Sequence, residues 1–530
     1  MIKDLDSYLK DIDEMSKSSL NEDQKQLIKK ILEKTDPQDL DNVFQLLIQR
    51  VKIGFSFDVA PSVHQTQIAI LAKNEQLSFM NDAHNLFKND TNSLIIGENY
   101  DVLKNLLVLE RERERETSGR DAYYDVIYID PPYNTEASKT DGNNFSEKDD
   151  VAASKFVYRD KFSRNGWLNM MNERLKLAKN LLKNDGVIFV SIDDNEQAYL
   201  KVLMDEIFGE ENFTCNFVWE KNYAPKNNNK FVSVNHDYIL CYCKNKILKN
   251  KFNRNQRTEK NNRLYFYKDD RGFYKSSDLT KKGSNNIYDI IWDGKKYLCP
   301  KNSSWLYNEE KMYELIKQNR IFLPENENNR PFLKKYLNEV DDVISLSILK
   351  YEVVNHTDGS KKQLDSILDN HNFNTPKPIE LIKYLINIAS TNNARILDFF
   401  AGSGTTGHAV LALNKEDGGN RTFTIVTNNE NEIGTNVCYE RLYRINNGFG
   451  TKNETDFDWI NKNKPYLNNL NVYDLKYFDT NPIKIDNNEI KEAFTKMLVD
   501  FNDASQSNLF DSNQRELLIN LSTLKSINNK

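Results

Sequence analysis

Apolar residues along this chain fall into two kinds of stretch. Short unbroken runs such as Val126–Ile129 and Val187–Ile192 show no alternation of polar and apolar positions, the pattern of strands buried on both faces of a parallel sheet. Between them lie longer stretches with apolar residues three and four apart, the spacing of helices with one buried face. Ser93–Gly97 reads as a strand, and Asn99–Leu107 as the helix that follows it. Tyr124–Ile129 is the next strand. Trp167–Leu182 is an amphipathic helix that ends at Asn184-Asp185-Gly186, a turn into the strand Val187–Ile192. Gln197–Phe208 is a helix with acids (Asp193, Asp194, Glu196) at its positive end. Phe217–Glu220 and Tyr238–Tyr242 read as two further strands. Helix 379–390, strand Ala394–Phe400, a glycine turn opening a helix near Thr406 to His408, and strand Thr422–Thr427 complete the series. Strand alternating with helix predicts an α/β fold with a parallel sheet covered on both faces.

Outside that series the pattern changes. Residues 1–90 look helical: Leu5, Leu9, Ile12 and Met15 recur at helical spacing, as do Leu27, Ile28, Ile31 and Leu32, then Val43, Phe44, Leu47 and Ile48. Glu110 to Glu116 alternate with Arg and read as the solvated continuation of the preceding helix. A polar loop from Asn134 to Arg164 is of a length often used for lids or binding segments. Regularity fades over residues 245–372, and residues 451–530 are polar with no legible chemistry. The predicted divisions are therefore 1–90, 91–244, 245–372, 373–450 and 451–530.

Chemistry enters at the end of the strand Tyr124–Ile129, where Asp130-Pro131-Pro132-Tyr133 follows. Two prolines cannot continue a strand or a helix, so the chain leaves the sheet in a stiff extended turn. This puts a carboxylate, backbone carbonyls and an aromatic ring at a strand's carboxyl end, where open α/β sheets bind ligands. Taken alone, the segment is equally an ordinary exit from a strand.

The second feature is Asp398-Phe399-Phe400-Ala401-Gly402-Ser403-Gly404-Thr405-Thr406-Gly407. Its glycines have the spacing of a dinucleotide-binding turn, and the outer pair has that of a phosphate loop. A phosphate loop is excluded, because His408 and Ala409 stand where Lys and Ser/Thr are required. A nicotinamide site would need an acid at the end of the following strand, and Glu430 is the residue available. Physically, the turn offers close backbone approach and a helix N-terminus aimed at a negative group. Asp398 would repel a pyrophosphate but suits an ammonium, which favours a nucleoside bearing an amino acid.

Composition narrows the partners. The 530 residues exceed one ordinary domain, and hydrophobic residues make up 39% of them. The net charge is -6, yet Lys221 to Lys301 carries 19 Lys and Arg against 7 Asp and Glu, a local +12 that leaves -18 for the remainder. Tyr265, Phe266, Tyr267, Phe273, Tyr274, Tyr297 and Trp305 interleave with these cations or lie beside them, a composition suited to nucleic-acid backbone contact and base stacking. A Lys-rich solvated surface has the same composition. The five cysteines lack metal-ligand spacing, so no metal is expected and free thiols in a reducing compartment account for them. No apolar run approaches membrane length and the start has no signal-peptide pattern, which predicts a cytoplasmic protein.

Asp-Pro-Pro-Tyr on one strand end and Asp-x-Phe-x-Gly-x-Gly on another resemble the amino-methyltransferases of DNA. Asp in the first place resembles the adenine-N6 class, and the order of the two motifs, with the basic insert between them, resembles the β type. Further fragments resemble the modification subunits of type III restriction–modification systems: Trp167-Leu-Asn-Met-Met with Arg174-Leu-Lys-Leu-Ala, Asp185-Gly-Val-Ile-Phe-Val-Ser-Ile-Asp-Asp-Asn195-Glu, Asn235-His-Asp-Tyr-Ile-Leu240, Thr375-Pro376-Lys377-Pro378, Leu397 to Val410 and Asp417 to Arg421.

That resemblance implies a Rossmann-like methyltransferase sheet interrupted by an irregular target-recognition insert at 245–372, behind a helical amino-terminal extension. It implies S-adenosyl-L-methionine as methyl donor, adenine in duplex DNA as substrate, and base flipping. Asp130, Pro131, Pro132 and Tyr133 take the catalytic positions. Asp398, Phe399, Phe400, Ala401, Gly402, Gly404, Thr405, Thr375, Pro376 and Lys377 take cofactor positions, with Glu430 the candidate for the ribose. The implied partners are double-stranded DNA, a second copy of the chain and a restriction subunit with helicase and nuclease motifs. A stand-alone adenine-N6 methyltransferase is the nearest alternative, and a catalytically dead DNA-binding module a more distant one.

Overall fold

The protein is described from a computed structural model. It covers residues 5–14, 22–37, a few positions from 39 to 47, 64–81, 92–117, 122–133, 164–225, 230–283, 285–369, 371, 373–479, 487–502 and 521–523. The loop from Asn134 to Arg164 lies almost wholly outside these residues.

An eleven-stranded mixed sheet organises the larger part of the chain. Its strands are β1 (His64–Lys73), β2 (Asn92–Ile96), β3 (Tyr124–Ile129), β4 (Leu182–Ile192), β5 (Phe213–Glu220), β6 (His236–Cys243), β7 (Ile348–Leu349), β8 (Arg395–Asp398), β9 (Thr422–Thr427), β10 (Leu470–Asp479) and β11 (Ser522–Thr523). In space they run β7-β5-β6-β4-β3-β8-β9-β2-β10-β1-β11. The six central strands, β4 to β10 in that order, are parallel, whereas β6 and β1 join the two sides antiparallel. The central strands are buried along most of their length, which explains their unbroken apolar runs. Their cover includes helices α3 (Asn99–Thr117), α5 (Gln197–Phe208), α6 (Ile379–Ala389), α7 (Thr405–Asp417) and α8 (Glu440–Asn447), with α4 (Arg164–Leu181) joining them from residue 172 onward; the numbering follows two amino-terminal helices described below.

The decisive pairing is β3 with β8, Val126 opposite Ile396 and Ile127 opposite Leu397. The chain returns after more than 200 residues to lay β8 on the free side of β3, so two distant motifs share one edge of the sheet.

The structure departs from the sequence reading in four places. Residues 64–73 form a strand, not a helix: Ile68 to Leu71 is a short apolar run, fully buried, and pairs antiparallel with β10. The region beyond 450 is not separate either, because β10 extends the parallel sheet beside β2. Both boundaries therefore cut through the sheet. Glu110 is not solvated; it is fully buried and accepts from Arg395 Nη1 and Nη2 at 2.7 Å each and from Tyr123 N at 2.7 Å. Its helix runs along the sheet there, and the buried carboxylate is matched by the guanidinium that begins β8.

The insert is more regular than its sequence. Ile321–Phe322, Phe332–Tyr336, Gly272–Ser277 and Tyr267–Asp269 form a four-stranded antiparallel sheet. Leu279, Ile290, Tyr297, Trp305, Met312, Leu315, Ile316, Ile321 and Leu333 make a core of their own. Strands of two to six residues are too brief to show alternation, which is why the pattern looked irregular.

The amino-terminal residues form a second compact unit. Helices α1 (Leu5–Glu14) and α2 (Glu22–Leu32) bury Tyr8, Ile12, Ile28 and Leu32 together with Leu40 and Phe44. Leu27 and Ile31 face outward, so of the set Leu27, Ile28, Ile31 and Leu32 read from the sequence only Ile28 and Leu32 are core. Among the described residues no helix is long and apolar enough to cross a membrane.

Candidate active site

Asp130 and Asp398 stand 268 positions apart in sequence, yet at the carboxyl ends of adjacent parallel strands. The burial of β3 holds its last residue, Ile129, opposite Val190 of β4. Tyr128 beneath the exit is held by a buried hydrogen bond between its hydroxyl and that of Ser191, 2.9 Å away. The two prolines then carry the chain out, Pro131 buried and Pro132 exposed.

The Asp130 side chain is a quarter exposed and is held by three contacts. Lys377 Nζ donates to both carboxylate oxygens at 2.6 Å, and Tyr133 Oη donates to Oδ1 at 2.8 Å. The Lys377 ammonium also lies 4.9 Å from the centroid of the Tyr133 ring and 6.0 Å from that of Trp219. Burial first and Asp130 second push the Tyr133 phenol well above its ordinary range, so it keeps the proton that it donates to Asp130. Behind these groups Lys221 Nζ donates to Asp237 Oδ1 at 2.6 Å. Burial raises the Asp237 carboxyl; Lys377 and Lys221 oppose the rise and Asp130 adds to it.

On the next strand, Asp398 is 2% exposed and anchors the glycine turn. Its Oδ1 accepts from Phe400 N at 2.9 Å and its Oδ2 from Thr406 Oγ1 at 2.6 Å. Burial pushes this carboxyl up to about 7; the two hydrogen bonds and Lys377 pull against that, and Asp130 adds to it. Gly402 and Gly404 have φ of +50° and +76°, a region that suits glycine. A Cβ on Gly402 would lie 3.1 Å from Phe373 Cζ, and one on Gly404 3.0 Å from Cys438 Sγ. Phe399 and Ala401 are buried and Phe400 is half-buried. Under the turn, the buried Arg441 donates to Ser403 O and Oγ at 3.2 Å each and to Thr405 Oγ1 at 2.9 Å. Burial lowers its guanidinium to about 10.

Thr375 is exposed, and Pro376 is buried with its carbonyl accepting from Ser360 Oγ at 2.5 Å. Glu430 lies in a short 3-10 turn three residues past the end of β9, half-exposed. The strand-end motifs are thus brought together, while Lys377 sits on the Asp130 carboxylate.

The sequence reading missed a third strand end. After β2, Glu98 Oε2 accepts from Tyr100 N at 2.7 Å and Asp101 N at 3.2 Å, capping α3. Arg174 from α4 donates to Glu98 Oε1 at 2.5 Å and to Asn99 Oδ1 at 2.6 Å, and Asn99 Nδ2 donates to Phe399 O at 2.8 Å. This chain of bonds fixes the backbone of the glycine motif from the side. Ile96-Gly97-Glu98-Asn99 had the same signal as the other two motifs, a polar exit from a buried strand. Asp237 and Lys221 were missed because their role depends on tertiary neighbours.

Comparison with known proteins agrees with this geometry. A family model described as DNA methylase, covering N6 and N4 amino-methyltransferases, matches residues 124–440, and one for an uncharacterised conserved protein matches residues 5–116. The Mod subunit of the type III restriction–modification enzyme StyLTI from Salmonella typhimurium is 34% identical over 363 residues, 64% of this chain and 53% of that protein. The EcoP15I Mod subunit from Escherichia coli is 30% identical over 389 residues, 62% of this chain and 57% of that one. Type II methyltransferase M.KpnI from Klebsiella pneumoniae is 30% identical over 389 residues, 69% of this chain and 88% of that enzyme. The chain thus spans just over half the length of these Mod subunits and most of the type II enzyme.

Proposed function

The chain belongs to the N6/N4 DNA methylase family, and on that premise we propose that it methylates the N6 amino group of adenine in duplex DNA, using S-adenosyl-L-methionine. The observation that carries the reading is the adjacency of the Asp130 exit and the glycine turn on neighbouring strands. A nucleophile held at one strand end and a donor held at the next would meet across a single edge.

The glycine turn fits a nucleoside that carries an amino acid. Gly402 and Gly404 let the turn pack tightly on Phe373 and Cys438, where a Cβ would crowd, and Arg441 beneath the turn adds positive charge on the side of the α7 N-terminus. S-adenosyl-L-methionine bound there would supply an electrophilic methyl group. Asp398 has both oxygens engaged within the chain, so its work in this reading is to hold the turn in shape. Glu430, near the end of β9, is the candidate for the ribose hydroxyls.

The residues at β3 do the rest. An adenine amino nitrogen is a weak nucleophile because its lone pair is delocalised into the ring. Hydrogen bonds from its protons to the Asp130 carboxylate and the Pro131 carbonyl draw it toward tetrahedral geometry, and acceptors aimed at the transition state are the largest single contribution available to such a site. In-line attack then depends on alignment. The amino group is out of reach within a duplex, so the base must be extruded, and in this reading Tyr133 is the ring that stacks on it. The basic insert supplies phosphate contacts.

In this reading the chain is the modification and recognition subunit of a type III restriction–modification system, acting with a helicase–nuclease subunit and as a dimer. The coverage of the type II enzyme favours a second reading, a stand-alone methyltransferase. A neighbouring reading frame with a Gly-Lys-Ser/Thr phosphate loop supports the first, and its absence the second. The chemistry is tested by incubating the purified chain with unmethylated DNA and tritiated S-adenosyl-L-methionine, then separating the nucleosides. Label in N6-methyladenine is expected; label in cytosine, or none, refutes the assignment.

A further inference from the structure

The carboxylate that this reading assigns to the target amino group is already taken. Both Asp130 oxygens accept from Lys377, and Oδ1 from Tyr133 as well. An entering amino group would have to share the carboxylate with a full positive charge at hydrogen-bond distance, while methyl transfer builds more positive charge on the same nitrogen. The ammonium therefore has to leave before the reaction.

Two other carboxylates, Asp237 and Asp398, lie within the influence of this ammonium, and Asp398 already has its oxygens engaged by Phe400 N and Thr406 Oγ1. Asp130, Lys377, Asp237 and Lys221 form a cluster of alternating sign drawn from four places: the exit from β3, the segment before α6, strand β6 and the residue after β5. Lys221 engages Asp237 through Oδ1. Asp237 is buried and stands opposite Trp219 in the β5–β6 pairing, the residue whose ring lies 6.0 Å from the Lys377 ammonium, and it feels that ammonium as well as its own partner. The rings of Tyr133 and Trp219 flank the Lys377 ammonium, surfaces that stabilise a cation in passage. The remaining charged and titratable groups near the cluster are Tyr128 and Asp398 on β3 and β8.

We propose that Lys377 is a two-position positioning residue, capping Asp130 while the site is empty and passing to Asp237 when the target amino group takes Asp130. The proposal rests on the methyltransferase reading. It gives the buried Asp237 a purpose and makes Lys377 a gate that only a donor well seated on Asp130 displaces. A guanidinium, which binds a carboxylate through two parallel hydrogen bonds, would make a tighter cap than an ammonium.

The test is methyl transfer by the full chain to genomic DNA lacking adenine methylation, with tritiated S-adenosyl-L-methionine, for wild type, Asp237→Asn, Lys377→Met, Lys377→Arg and the Asp237→Asn/Lys377→Met double variant. Calorimetric binding of S-adenosyl-L-methionine checks that each folds. Asp237→Asn is expected to lower kcat/KM at least tenfold, because the displaced ammonium has lost its second seat. Lys377→Met is expected to retain at least threefold more of the wild-type kcat/KM than Asp237→Asn does, and Lys377→Arg to fall at least fivefold. The double variant is expected to match Lys377→Met, since without the ammonium no second seat is required. A double variant as slow as Asp237→Asn overturns the proposal and makes Asp237 a structural residue. Lys377→Met as slow as Asp130→Ala also overturns it, by assigning Lys377 to the reaction itself. A wild-type chain that transfers no methyl at all refutes the methyltransferase reading, and the switch falls with it.

Discussion

Asp130→Ala is the perturbation that most directly separates chemistry from scaffold. Alanine removes the acceptor for the amino protons and leaves the Pro131 carbonyl alone. Losing one positioned partner of a developing charge costs roughly 100- to 1000-fold in rate, about 3–4 kcal/mol, and that is the expected fall in kcat. The same change deprives Lys377 of both hydrogen bonds to Asp130. That ammonium is 11% exposed on a flexible stem, so the loss of stability is expected between a surface pair and a buried one, about 1–3 kcal/mol. Binding of S-adenosyl-L-methionine is expected within about twofold of wild type, since the glycine turn is held by Asp398, Thr406, Phe400, Asn99 and Arg441. The assay is single-turnover transfer of tritiated methyl to unmethylated DNA, with calorimetry for the cofactor and urea unfolding for stability. A variant that keeps more than a tenth of the wild-type rate refutes the acceptor role. Equal loss of cofactor binding and rate would show instead that the two strand ends are one structural unit.

Three further outcomes follow from the geometry. Glu110→Ala strands the buried Arg395 guanidinium and is expected to cost about 3–5 kcal/mol in urea unfolding; a cost under about 1 kcal/mol would refute the pairing. Burial opposes the Glu110 charge but Arg395 overrides it and holds the carboxyl below its ordinary range, so this contribution is present above the ordinary Glu value and is lost as pH falls through the lower, folded-state one. Asp398 has the opposite sign. Its carboxyl is raised to about 7, so the folded chain keeps a proton that the unfolded chain releases, and stability falls by at most about 4 kcal/mol between about pH 4 and 7; Asp398→Asn is expected to flatten that fall, and equal pH slopes for the two proteins would contradict it. In the insert, Lys281 and Lys282 are exposed, and replacing both with Ala is expected to lower the magnitude of the log–log salt slope of DNA binding by about 2. An unchanged slope would remove those lysines from the DNA contact.

What the sequence disclosed, and what it hid, divides along the range of the interactions. The exit at Asp130 and the turn at Gly402 were legible because each is local: buried strands end where prolines or glycines force them to, and the chemistry lies within four or five residues. Their adjacency was accessible only through resemblance, since nothing in β3 or β8 specifies which strand lies beside it. Glu110 shows the limit in the other direction. Its Arg/Glu-rich setting is that of a solvated helix, and only the arrival of Arg395, 285 positions later, turns it into a buried anchor. Strands β1 and β10 were lost for a related reason, as each is half of an antiparallel pair whose other half lies about 400 residues away.

Lys377 carries this point to the site itself. The resemblance placed the Thr375–Pro378 segment among the cofactor contacts, and the structure seats its lysine on a carboxylate 247 positions earlier. A residue's type sets what it can do: an ammonium will find a carboxylate. Which one it finds is decided by how the strand ends are brought together, and here, besides Asp398, whose oxygens Phe400 and Thr406 already engage, two carboxylates, Asp130 and Asp237, come within the influence of one ammonium. Two acceptors for one cation make a bistable arrangement, because either pairing leaves the other carboxylate available to a further donor. For Asp237 that donor is Lys221, already in place. Asp130 keeps one donor of its own, Tyr133, and in the methyltransferase reading the place that Lys377 vacates goes to a donor from outside the chain.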